Sequence, residues 1–371
     1  MAGIYVHVPF CKSRCIYCGF YSTTLLKWRK AYVDAVVGEL ADKRDFLHGE
    51  TVETIYLGGG TPTQLSPSQL RRILECIYNI YNVSPTAEVT IEANPDDVHS
   101  PLLRELRQMG VNRLSMGVQS FDDGRLRFLH RRHTARQAIE AVKAAQEAGF
   151  DNVSIDLMFG FPGQTLQEWK NDVRQALSLG VQHMSAYSLM VEEGTPLSRL
   201  LDEGWMEEPD DELARQMYEH LLDATSAAGF EHYEISNFAK PGHRSRHNSS
   251  YWHGVPYLGV GAGAHSYDGR NRFFHTDSLG DYLSGHPWQE EQLTERERYD
   301  EFVFTGLRTC DGISMTELEQ RFGAQMRDYC KKNAQHHVDA GRMDFDGDVL
   351  RLTRQGLFVS NDVMSDLMWV D

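Results

Sequence analysis

The stretch Ile4-Tyr5-Val6-His7-Val8-Pro9-Phe10-Cys11-Lys12-Ser13-Arg14-Cys15-Ile16-Tyr17-Cys18 runs from a β-rich segment straight into three cysteines spaced C-x3-C-x2-C. No fourth cysteine follows closely enough to close a four-thiolate site. Three thiolates ligate three irons of a four-iron cluster and leave the fourth iron free for a small molecule, much as a catalytic zinc keeps an open position that a structural zinc lacks. The other use of the same residues is a single zinc ion closed by a distant ligand such as His7.

Outward from this stretch the chain alternates short β-rich runs with amphipathic segments. Candidate strands are Ile4 to Val8, Thr54 to Leu57, Glu88 to Ala93, Arg113 to Met116, Asn152 to Leu157 and His183 to Ser188. The helices between them carry start signals. Ser66-Pro67-Ser68-Gln69, Thr134-Ala135-Arg136-Gln137 and Thr165-Leu166-Gln167-Glu168 are capping boxes, and Ser100-Pro101 opens a further helix. Gly110, Gly149 and Gly180 end three of them before the next strand. Parallel strands joined by helices coil into a barrel or a doubly wound sheet, and the period favours an open six-stranded parallel β/α barrel. In either fold ligands gather at the C-terminal strand ends. There stand the cysteine loop, Gly58-Gly59-Gly60-Thr61-Pro62, Glu92, Asn94, Gln119 and Asp156.

After Ser188 the pattern changes. The acidic run Glu207 to Glu212 reads as a solvated loop and the first turn of a helix ending near Gly229. Residues 232 to 286 hold seven of the sixteen histidines with many glycines and aromatics, and are expected to be functional loop. The last 80 or so residues read as helices near Glu295 to Arg308, Met315 to Arg321 and Gln325 to Ala340, a hairpin turning at Asp346-Gly347, and a final amphipathic helix. That makes a mainly helical, winged-helix-like module. The expected domains are 1–230, 231–290 and 291–371.

The chain has 371 residues, 41% hydrophobic and 24% charged, with no apolar run of membrane-spanning length. Its start does not read as a signal peptide. A formal charge of −16 argues against nucleic acid as a partner. Cys76, Cys310 and Cys330 are scattered, unlike a secreted disulfide framework, so a cytoplasmic setting is expected.

The cysteine spacing after a strand resembles the radical S-adenosylmethionine superfamily, and the glycine-rich loop resembles its cofactor-binding motif. Tyr5 to Cys11, Gly58 to Pro62, Ile91-Glu92-Ala93-Asn94-Pro95 and Ser115 to Phe121 closely resemble the oxygen-independent coproporphyrinogen III oxidase family. The resemblance implies a [4Fe-4S] cluster on Cys11, Cys15 and Cys18, with S-adenosylmethionine contacted by Tyr5, Gly59 and Glu92. It implies that Tyr17, Gly60, Thr61, Gln119, Arg131 and Asp156 surround a second S-adenosylmethionine.

Two features depart from the oxidase. Phe20 stands where it has a further cysteine, and only four residues precede Tyr5. Both resemble the HemW branch of haem chaperones. His247-Asn248-Ser249-Ser250-Tyr251-Trp252 matches the H-N-x-x-Y-W motif associated with haem in that branch. The resemblance thus implies haem as a further ligand, with His247 in contact, and delivery to acceptor haem proteins such as respiratory ones. Acceptors at a membrane would be met by transient docking without insertion, and a homodimer is compatible with this assignment. The alternatives are radical oxidative decarboxylation of coproporphyrinogen III, which would make the chain an S-adenosylmethionine-dependent oxidoreductase of porphyrin biosynthesis, and a zinc-stabilised binding module.

Overall fold

All six expected strands are present in the computed structural model, which describes residues 1–206 and 210–370. They are β1 Ala2–Val8, β2 Val52–Gly59, β3 Val83–Ala93, β4 Arg113–Gln119, β5 Val153–Phe159 and β6 His183–Ser188. Neighbours in sequence pair side by side and in parallel. Six of the seven residues of β1 are buried, as a strand covered on both faces requires.

The covering helices begin where their caps dictate. Capping boxes form at Ser66 with Gln69, Thr134 with Gln137 and Thr165 with Glu168. One expectation shifts by a residue: the helix Ser100–Gln108 is capped by His99, whose ring accepts from the Leu102 amide, while Ser100 and Pro101 lie inside the first turn. Of the acidic run, residues 207–209 lie outside the described residues. Asp210 caps the helix Asp211–Ala227.

The segment expected as functional loop is instead woven into the sheet. It supplies β7 Glu231–Glu234, β8 Asn237–Ala239, β9 Tyr257–Val260, β10 His265–Tyr267, β11 Asn271–Phe274 and β12 Gln289–Gln292. β9 runs parallel to β1 as a seventh parallel strand, while the other five join in antiparallel pairs. The order is β12-β11-β10-β9-β1-β2-β3-β4-β5-β6-β8-β7, so the sheet stays open. Among the described residues, no helix is long and apolar enough to cross a membrane.

The C-terminal residues build a second hydrophobic core around Tyr299, Val303, Leu318, Cys330 and Leu350. The two helices expected between Met315 and Ala340 are present within Met315–Asp339, separated at Gly323, whose φ of 84° is not helical. β13 Ile313–Ser314 joins the hairpin of β14 Met343–Asp346 and β15 Val349–Leu352 in a three-stranded sheet. This winged-helix-like unit is tied to the barrel by buried Glu234, which pairs with Arg308 at 2.7 Å.

The close approach of β9 to the chain after it depends on Gly259. A Cβ there would lie 1.9 Å from the His265 carbonyl oxygen. Gly259→Ala is expected to destabilise the protein by several kcal/mol, well beyond the ~1 kcal/mol expected when Thr165→Ala removes a helix cap. Denaturant midpoints of the two variants check this; equal shifts would show that β9 is dispensable.

Candidate functional site

Parallel polarity sends the loops after β1, β2, β3, β4 and β5 to one end of the sheet. There they surround a cavity of about 590 Å³. Cys11, Cys15 and Cys18 line it, as do Tyr17, Gly59, Gly60, Thr61, Glu92, Gln119, Arg131 and Asp156. Of the residues expected from sequence, Tyr5 and His247 lie elsewhere.

The three thiols are free and partly buried. Burial pushes the Cys11 and Cys18 thiols up. Cys11 Sγ lies 3.5 Å from Thr61 Oγ1, and Cys15 Sγ accepts from Arg131 at 3.4 Å. The same guanidinium donates to Asn94 Oδ1 at 2.7 Å and to the Gly117 carbonyl, and its buried Nε has no partner within the protein. Gly60 lets the second loop approach the first, since a Cβ would stand 2.9 Å from the Val8 carbonyl oxygen.

Three thiols on one loop, with no fourth in the cavity lining, fit a cluster that keeps one iron open. Among the described residues, the only trio of ligand atoms lying all within 4.8 Å of one another is His336, His337 and Asp366, so at least one pair of the cysteine sulfurs stands farther apart than that. No further cysteine lines the cavity; Phe20 does, 70% exposed.

Two carboxyls stand opposite the thiols. Glu92 accepts from the Tyr56 hydroxyl at 2.7 Å and the Gly59 amide at 3.1 Å. Burial nonetheless pushes its pKa up to about 7, and Asp156 is raised to about 6 for the same reason. In both cases the loss of water outweighs the opposing pull of Arg113 on the two carboxyls and of Arg131 on Asp156. Gln119 ends β4 with φ 70°, a left-handed conformation that a non-glycine residue adopts at a cost, just where the strand bulges.

Tyr5 sits deeper in the barrel, its hydroxyl 3.0 Å from His7 Nδ1 and its ring packed against Tyr56 and His247. His247, on the helix Arg246–Trp252, is 1% exposed and lies at the opposite end of the strands, beside Gly3 and Thr54. Its Nδ1 is 2.8 Å from Thr54 Oγ1 and its Nε2 2.8 Å from the Tyr251 hydroxyl, so both ring nitrogens are engaged. Burial pushes its pKa down to about 3, so the ring is neutral.

Asn94, expected at the end of β3, bridges Arg131 to Thr61. Sequence reasoning passed over two contributors. Tyr56 holds Glu92. Lys12, inside the cysteine loop, pairs with buried Asp97 at 2.8 Å, which Gln64 and Thr63 also bind, and so fastens the loop to the end of β3. The polar run Asn94-Pro95-Asp96-Asp97 directly after a strand was the available signal.

Known proteins share this arrangement. Residues 5–176 match the radical SAM superfamily and residues 293–359 the HemN C-terminal domain. Over 98% of its length the chain is 35% identical to "Heme chaperone HemW" of Bacillus subtilis, covering 98% of that protein. It is 36% identical to the Mycobacterium tuberculosis protein of the same name over 99% of its length, covering 94% of that protein. It is 34% identical to "Radical S-adenosyl methionine domain-containing protein 1, mitochondrial" of Bos taurus over 99% of its length and 87% of that protein. Among solved structures, coproporphyrinogen III oxidase (HemN) from Escherichia coli has the same fold, with a TM-score of 0.85 at 22% identity over 99% of this chain and 90% of that one. A full-length likeness at this identity, on a barrel whose first loop presents three cysteines to one cavity, means that the chain belongs to the HemW family within the radical SAM superfamily.

Proposed function

We propose that this protein binds haem in the cytoplasm and delivers it to acceptor haem proteins, as the name of its curated relatives suggests. Cys11, Cys15 and Cys18 would hold a [4Fe-4S] cluster, and Gly59 and Glu92, with Tyr5 behind them, would hold S-adenosylmethionine. Tyr17, Gly60, Thr61, Gln119, Arg131 and Asp156 would take a second S-adenosylmethionine. When bound, such a cluster supplies an electron that can cleave the sulfonium it chelates. His247 enters the haem site through the tyrosine that it holds. In functional terms, residues 1–230 carry the cofactor site, 231–290 the haem motif and 291–371 a packing module.

One observation carries this reading: the cysteine cavity and the H-N-x-x-Y-W segment lie at opposite ends of the barrel. Between them stand the stacked rings of His247 and Tyr56 and the Glu92 carboxyl that Tyr56 holds. An enzyme that abstracts hydrogen from a porphyrinogen needs the reacting atoms within contact of the radical source. A carrier has no such requirement.

The decisive experiment is anaerobic incubation of the cluster-reconstituted protein with S-adenosylmethionine, a reductant and coproporphyrinogen III. No protoporphyrinogen is expected, whereas haem titration is expected to give a saturable shift of the Soret band relative to free haem. Stoichiometric product would establish the oxidase instead, and a colourless protein containing zinc but no iron would establish the zinc-stabilised module.

Glu92 provides a second test. Its folded pKa of about 7 exceeds the ordinary 4.5, so folding binds a proton. The stability it contributes is fully present below pH about 4.5 and is lost as pH rises through 7, a fall of at most about 3 kcal/mol at ~1.4 kcal/mol per unit. Glu92→Gln does not ionise and is expected to show a shallower fall in melting temperature from pH 5 to 8 in cofactor-free protein. An unchanged slope would show that Glu92 keeps its ordinary pKa.

A further inference from the structure

A second cavity, of about 770 Å³, lies at the far end of the barrel between the H-N-x-x-Y-W segment and the C-terminal unit. Its size is within the range of small-molecule and cofactor sites. Aromatic rings come from both sides: Tyr251, Trp252, Tyr257 and Tyr267 from the barrel segment, Phe302 and Phe304 from the helix Glu295–Leu307. Flat conjugated ligands are what several convergent aromatic walls accommodate best.

The polar groups narrow the class. Arg272 and Arg321 line the cavity but are neutralised by Glu301 at 2.5 Å and Glu317 at 2.6 Å. Asp300 accepts from the Trp369 amide at 2.7 Å. Arg298 has no carboxylate partner among the described residues; its guanidinium reaches only the Thr294 carbonyl at 3.4 Å. The Trp252 indole N–H is buried and unpartnered. One unpaired guanidinium and one orphaned donor beside aromatic walls suit a planar ring with carboxylate arms.

The cavity also has an imidazole with a defined tautomer. His253 Nδ1 lies 2.7 Å from the Ser249 carbonyl, which can only accept, so Nδ1 carries a proton and Nε2 is the nitrogen left for a metal. Metal-ligating histidines are commonly oriented by such a bond from the other nitrogen. The side chain is 55% exposed, and Nε2 stands 3.7 Å from Asp311. His247, by contrast, has no free nitrogen.

We propose that haem sits in this second cavity, with His253 as the protein ligand to iron, Arg298 pairing a propionate, and Trp252 and Tyr257 against the ring. His247 is then a positioning residue that holds Tyr251. This rests on the reading of the chain as a haem carrier, and its test separates the two.

Full-length, cluster-reconstituted protein is titrated with haemin and with haemin dimethyl ester, following the Soret band, for wild type, His253→Ala, Trp252→Leu and Arg298→Ala. His253→Ala is expected to move the Soret maximum and weaken binding by about tenfold or more, and Trp252→Leu to weaken it without moving the band. Wild type is expected to prefer haemin to its ester by about tenfold, and Arg298→Ala to erase that preference. Unchanged melting temperatures show that the half-exposed His253 and Arg298 substitutions leave the fold intact. If the Soret band of haemin with wild type is the same as that of haemin alone, the carrier reading itself fails. If wild type binds but none of the three variants differs from it, haem lies elsewhere and this seat is overturned. Loss of the binding-induced Soret change only in His247→Phe, with melting unchanged, overturns His253 as the ligand.

Discussion

A barrel that is polar inside has to satisfy each polar group from within, because no water reaches it at low cost. Here the solution is a column of side chains running from one end of the sheet to the other. Thr54 and Tyr56, two residues apart on β2, face the same side. Thr54 meets His247, and the His247 ring stacks on Tyr56 with centroids 5.0 Å apart. Tyr56 donates to Glu92, and Glu92 receives the Gly59 amide at the mouth of the cysteine cavity. At the other end His247 meets Tyr251, on the wall of the second cavity. Both cavities therefore rest on one buried chain of contacts.

The two ends differ in what they leave unsatisfied. At the cysteine end buried carboxyls and a guanidinium stand together: Glu92 and Asp156 have pKa values raised to about 7 and about 6, and Arg131 Nε has no partner among the described residues. At the far end the surplus is a guanidinium and an indole N–H, which favour carboxylates and other acceptors.

The sequence disclosed much of this. Six strands, three capping boxes and the two helices on either side of Gly323 followed from periodicity and turn chemistry, because each is decided by residues close in the chain. Cys11, Cys15 and Cys18 were legible from spacing alone. What was not legible is non-local. β7 to β12 have three or four residues each, too few to show a period, and exist because the barrel edges offer unpaired backbone. His99 is the cap because its ring reaches the Leu102 amide, a geometry that the Ser-Pro signal obscured. His247 stood out as a histidine in a motif, but that both nitrogens are occupied depends on Thr54, 193 residues earlier.

The C-terminal unit gains a defined role from where its buried ion pair falls. Arg308 binds Glu234, which also receives Asn237 Nδ2 at 2.5 Å and the Ser236 amide at 3.1 Å, so the carboxylate is amply satisfied. The same guanidinium lies over the Trp252 ring, 5.0 Å from its centroid. Removing one partner of such a pair leaves a buried charge and costs several kcal/mol, so this contact is the hinge side of the interface. On the outer side, Arg244 meets Asp311 only at 3.4 Å and in solvent, a contact worth little. His253 stands on that weaker side. The strong and the weak contact thus flank the second cavity on different sides, with Trp252 beside the strong one.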